Sequence, residues 1–122
     1  MATRILIVDD DATTLKALSF LLRLEGYEVD VCGTPLQALE KLQSVAADIL
    51  LTDQVMGDMK GLELARQARA LHSTIRCFVM SGHDAPAPSD CAHVTWLKKP
   101  LDFDTLVGRL DPASDSLVAN TH

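Results

Sequence analysis

Short apolar runs alternate along the chain with longer stretches whose apolar positions repeat at helical spacing. Ile5 to Val8 is an unbroken apolar run that stops at three aspartates, Asp9, Asp10 and Asp11. A run without alternation predicts a strand buried on both faces, as in a parallel sheet. From Ala12 to Glu25 the period changes: Leu15, Leu18, Leu21 and Leu22 share a helical face, and Gly26 supplies a stop. Tyr27, Val29 and Val31 then alternate with polar residues, which predicts a less buried strand with those three on one side. Thr34 before Pro35 reads as an N-cap and first-turn proline, with Leu36, Leu39 and Leu42 continuing the helix.

Ile49 to Thr52 is the next buried strand, ending on Asp53. Leu62 to Leu71 predicts a helix with Leu64, Ala65, Ala68 and Leu71 on one face. "IRCFVMSG" and "VTWLKKP" are a fourth and a fifth strand, ending at Ser81 and before Pro100. Asp102 can cap a last helix in which Phe103, Leu106, Val107 and Leu110 fall at i, i+3, i+4 and i+7. Strand and helix therefore alternate five times, which predicts an α/β fold: a five-stranded parallel sheet, doubly wound, with right-handed crossovers. The fourth crossover carries Pro86 and Pro88. A proline inside a helix costs roughly 3 kcal/mol, so that helix is expected to be short or irregular, starting near Ser89. Residues 113–122 hold little apolar material and read as a mobile tail after a single domain at 1–112.

Composition narrows the class. At 122 residues the chain suits one domain. Its 48% hydrophobic and 23% charged residues suit a soluble globular protein. A formal charge of −6 argues against direct nucleic-acid binding, which needs a basic patch. Cys32, Cys77 and Cys91 are odd in number and form no Cys-x-x-Cys pair, so reduced thiols in the cytoplasm are expected. No apolar run is long enough for a membrane span.

Ligands of open parallel sheets bind beyond the carboxyl ends of the strands. The residues there are Asp9, Asp10 and Asp11 after the first strand, Asp53 after the third, Ser81 after the fourth and Lys99 after the fifth. Clustered carboxylates repel unless a cation holds them, and an all-oxygen donor set favours a hard ion, Mg2+ or Mn2+. Such an ion, a lysine and a hydroxyl around one carboxylate make a phosphoryl-binding set, with Asp53 as the nucleophile. The plainer alternative is that Asp10 or Asp11 only caps a helix, Ser81-Gly82 only turns, and Lys98-Lys99 is a solvated pair.

Over residues 3 to 110 the sequence resembles the receiver domain of two-component response regulators. "ILIVDDD", "LLTDQVMGDMKG", "VMSGH" and "WLKKPLD" resemble that family's acid pair, phosphoacceptor strand, Ser/Thr strand end and Lys-Pro signature, in order. The resemblance implies a flavodoxin-like sheet of order 2-1-3-4-5, and Asp53 accepting a phosphoryl group from a histidine kinase or histidine phosphotransfer protein. It implies that Asp9, Asp10, Asp53 and the backbone carbonyl of Val55 hold magnesium, and that Lys99 and Ser81 meet the phosphoryl oxygens. Ser81 and Trp96 would then switch a surface toward a downstream protein or output domain, with room for a phosphorylation-dependent homodimer. Trp96 has a plainer reading as partly buried core, Met56 and Met59 as packing residues, and His83 as a surface residue.

Gly57 stands where the family usually has proline, and Lys60 where it has aspartate or an asparagine-like residue. The distance from Ser81 to Trp96 is shorter than usual by about one helical turn, roughly 3.6 residues. Two rival functions follow from the same residues. One is a receiver-like module that binds without being phosphorylated. The other takes "DDDAT" as the nucleophile motif of a haloacid dehalogenase-type phosphatase, with Asp9 as nucleophile and Asp11 as acid/base.

Overall fold

The computed structural model of the protein describes residues 2–57, 59–82 and 94–110. Its elements are β1 (Arg4–Val8), α1 (Ala12–Leu24), β2 (Glu28–Cys32), α2 (Pro35–Ser44), β3 (Ile49–Asp53), α3 (Gly61–Leu71), β4 (Arg76–Ser81), β5 (Val94–Lys98) and α4 (Phe103–Leu110). The five strands form one parallel sheet in the order β2-β1-β3-β4-β5. The proline-containing crossover, His83, Cys91, His93 and the expected tail lie outside the described residues.

The unbroken apolar runs are the inner strands. In β1 and β3 successive side chains point to opposite faces, and both faces are covered. Leu6, Val8 and Leu50 pack with Ala38 and Leu42 of α2 and with Leu64, Ala65 and Ala68 of α3. Ile5, Ile7, Ile49 and Leu51 pack with Leu18 and Leu22 of α1 and with Leu106 and Leu110 of α4. Burying a leucine or isoleucine side chain fully contributes about 1.5–3 kcal/mol, so these two layers carry the sheet.

At the edge strand β2 the expected alternation holds only in part. Val29 is buried, but Val31 is 45% exposed and Cys32 is buried on the opposite face. Val31 lines an open groove beside Ala12, Leu15, Phe20 and Leu24 of α1, so its side chain still meets solvent. Among the described residues, no helix is long and apolar enough to cross a membrane.

Among the described residues, helix starts follow the sequence at three of four places. Asp11 caps α1 by accepting from the Thr13 N–H, Thr34 caps α2 by accepting from the Gln37 N–H, and Asp102 accepts from the Thr105 N–H at α4. Helix α3 starts one residue earlier than its apolar period suggests, at Gly61, after Lys60.

Candidate functional site at the strand ends

Parallel register sets the site. Val8 of β1 pairs with Thr52 of β3, so the next residues, Asp9 and Asp53, stand side by side at the carboxyl edge of the sheet. Asp53 pairs with Met80 of β4, which places Ser81 one residue further along, and Ser81 pairs with Lys98 of β5. Lys99 follows at once, and its Nζ lies 2.7 Å from Asp53 Oδ1. Four residues from four strands, Asp9, Asp53, Ser81 and Lys99, thus meet at one edge, as expected from the sequence.

Asp9, Asp10 and Asp53 each bring a carboxylate oxygen within 4.8 Å of the others. Asp9 and Asp53 are buried, as is Ser81, whereas Asp10 is exposed. One oxygen of Asp9 accepts the Asp11 N–H at 2.9 Å. The other, Oδ2, is buried without a hydrogen-bond partner among the described residues. Burial pushes the Asp9 carboxyl above its ordinary value; the Asp11 N–H opposes this and the Asp53 charge adds to it. Partial burial pulls Lys99 down, but the hydrogen bond to Asp53 and the charges of Asp53, Asp9 and Asp10 outweigh it, so its ammonium is held above its ordinary value. The lysine is therefore a cation throughout the neutral range.

The donor set fits a hard divalent ion. Three carboxylates converge, and the orphaned Asp9 oxygen is a buried acceptor in need of a positive partner. Asp11 is not part of this set. Its carboxylate accepts from the Thr13 N–H at 3.0 Å and the Thr14 hydroxyl at 2.9 Å, so it is the helix cap that one plain reading assigned to it.

Trp96 lies three residues before Lys99, paired with Val79 and partly exposed. Val55, two residues past Asp53, begins the loop into α3 with its side chain 59% exposed. Met56 is packed in the core, and its sulfur accepts from the Thr52 hydroxyl at 3.6 Å; Met59 packs beside it. Both methionines are packing residues, as expected.

Two residues escape the sequence pattern. A side chain at Gly61 would collide with the Asp53 carbonyl oxygen, so the start of α3 lies directly on the backbone of Asp53. Gln54 accepts from α3 twice, through its carbonyl from the Gly61 N–H at 3.0 Å and through its side-chain Oε1 from the Leu62 N–H at 2.8 Å. The signal for Gln54 was a helix opening after a lysine, which has no acceptor, so the first amides must find one elsewhere.

The family model for the response regulator receiver domain matches residues 5–111. The chain is 34% identical over 122 residues to the transcriptional regulatory protein ZraR of Escherichia coli, covering 97% of this chain and 27% of that protein. It thus spans about a quarter of the length of that relative. Among solved structures, a CheY-like receiver domain protein from Methanospirillum hungatei superposes with a TM-score of 0.86 at 26% identity, covering 98% of this chain and 99% of that one. The response regulator TrrA of Thermotoga maritima, solved in complex with Mg2+ and BeF, gives 0.81 at 26% identity over 88% of this chain and 96% of that one.

Proposed function

The chain belongs to the response regulator receiver domain family, and from that membership we propose that it is a phosphoacceptor switch working through Asp53. The observation that carries the reading is the placing of Asp53 between cationic and anionic neighbours. Lys99 stands 2.7 Å from one of its oxygens, and Asp9 and Asp10 cluster around it.

In the proposed step an Asp53 oxygen forms a bond to phosphorus while the bond from phosphorus to the imidazole nitrogen of a histidine kinase or phosphotransfer protein breaks. The nitrogen keeps the electron pair, so the step needs no redox partner. Asp9 and Asp10, with Asp53 and the Val55 carbonyl, would hold Mg2+ or Mn2+, which would neutralise charge on the phosphoryl oxygens. Lys99 balances the charge of the carboxylate and then of the phosphoryl group. The Ser81 hydroxyl donates to a phosphoryl oxygen, and Trp96, in partial contact with solvent, follows the β4 end as it shifts.

The product is a changed surface, read by a downstream protein, an output domain or a second copy, in the cytoplasm. Catalysis is confined to the domain's own phosphorylation and dephosphorylation. The phosphatase alternative is disfavoured because Asp11, which it needs as acid/base, is held as the cap of α1.

Incubation with Mg2+ and a small phosphoryl donor, followed by intact mass, tests the reading. The wild type is expected to gain one phosphoryl group and Asp53→Asn none. Phosphate release that survives Asp53→Asn but not Asp9→Asn would replace this reading with hydrolysis. No adduct on the wild type, where a known receiver is modified, would favour the binding-only module.

A further inference from the structure

We propose that Gln54 is a positioning residue for the metal-binding loop, an inference that rests on the receiver reading above. Gln54 is held on three sides. Its N–H donates to the Met80 carbonyl of β4 at 2.9 Å, its carbonyl accepts from Gly61, and its side chain accepts from Leu62. The start of α3 is therefore tied back to Gln54, the residue that sits between Asp53 and Val55.

Among the described residues of the loop, Met56 and Met59 are anchored by packing on the core, but that packing does not tie the start of α3 to β3. Gly57, at φ +42, adds no side chain, and Lys60 at the start of α3 makes no side-chain cap. Among the described residues, the loop's own backbone bond runs from the Met59 N–H to the Met56 carbonyl at 3.2 Å. Lys60 also puts a positive charge beside the positive end of the helix, where the dipole disfavours it. The Gln54 amide is neutral and supplies the acceptor that Lys60 lacks.

Removing the Gln54 side chain leaves the Gly61 bond but lets the loop swing about it. The Asp53 carboxylate and the Val55 carbonyl then lose their fixed separation. Partners that orient metal ligands without touching the ion typically set affinity by tenfold or more. Asn at position 60 would restore a cap to α3 without tying the helix back to β3. The pair of variants therefore separates helix stability from ligand positioning.

The test is Mg2+ affinity of the unphosphorylated protein, followed by amide shifts in 1H–15N spectra, together with urea midpoints. Gln54→Ala is expected to bind about tenfold more weakly. Adding Lys60→Asn should recover the urea midpoint but not the affinity, and this folded double variant decides the matter even where Gln54→Ala alone is unstable. Wild-type affinity in the double variant would overturn the proposal, because Gln54 would then act only as a helix cap. Absence of saturable Mg2+ binding by the wild type would overturn both this inference and the receiver reading.

Discussion

The two segments that carry the acids of the site leave the sheet by opposite routes. After β1 the chain spends three residues, Asp9, Asp10 and Asp11, before α1 begins, and the last of these caps the helix itself. After β3 it spends seven, Gln54 to Lys60, and α3 takes its acceptors from Gln54, at the far end of the loop. The first junction is closed by a neighbour in sequence and the second by a neighbour in space. A helix start must satisfy its amides either way. The local solution is compact, whereas the distant one lets a long loop be held by one side chain.

The sharpest test compares the first residue of each helix. Gly61→Ala forces a methyl group against the Asp53 carbonyl and is expected to destabilise the protein by about 1–3 kcal/mol. Ala12→Gly, at the same place in α1, should cost at most about 1 kcal/mol. Urea denaturation measures both. Equal losses would mean that a side chain at position 61 does not press on the Asp53 carbonyl.

Acid titration separates the caps next. Hydrogen bonds from the Thr14 hydroxyl and the Thr13 N–H hold the Asp11 carboxyl below its ordinary value of 3.8. The unfolded chain therefore takes up this proton first as pH falls. The contribution of Asp11 is complete above its ordinary value and is lost as pH drops through the lower folded value. Asp11→Asn keeps a capping acceptor but does not titrate, so its urea midpoint should fall less than that of the wild type between about pH 5 and pH 2. Identical profiles would remove Asp11 from the cap. The smallest effect is expected for Lys60→Asn alone, a gain of about 0.5 kcal/mol from a local cap and a removed charge. A loss there would show that the lysine contributes something the cap does not replace.

Legibility from sequence divided along the same line. The buried strands were readable because Ile5 to Val8 and Ile49 to Thr52 are apolar on both faces, and the structure covers both faces. Asp53, Ser81 and Lys99 were readable because each terminates an apolar run, and register brings such ends together. Less was readable at the edges. Val31 fits an alternating strand yet is 45% exposed, because it lines an open groove against α1 that a local pattern does not reveal. The three consecutive aspartates look alike in sequence but differ in the fold: Asp9 is buried with one oxygen unpartnered, Asp10 is exposed, and Asp11 caps a helix.

The sequence by itself determined the alternation of strand and helix, the local caps and the acids that end the strands, because these follow from period and from neighbours a few residues apart. Only the tertiary structure decided which oxygen of Asp9 is left without a partner, how close Lys99 comes to Asp53, and that α3 is capped by Gln54. Those depend on distances between segments that share no local pattern. They become fixed only when parallel register and helix packing bring the strand ends to one edge.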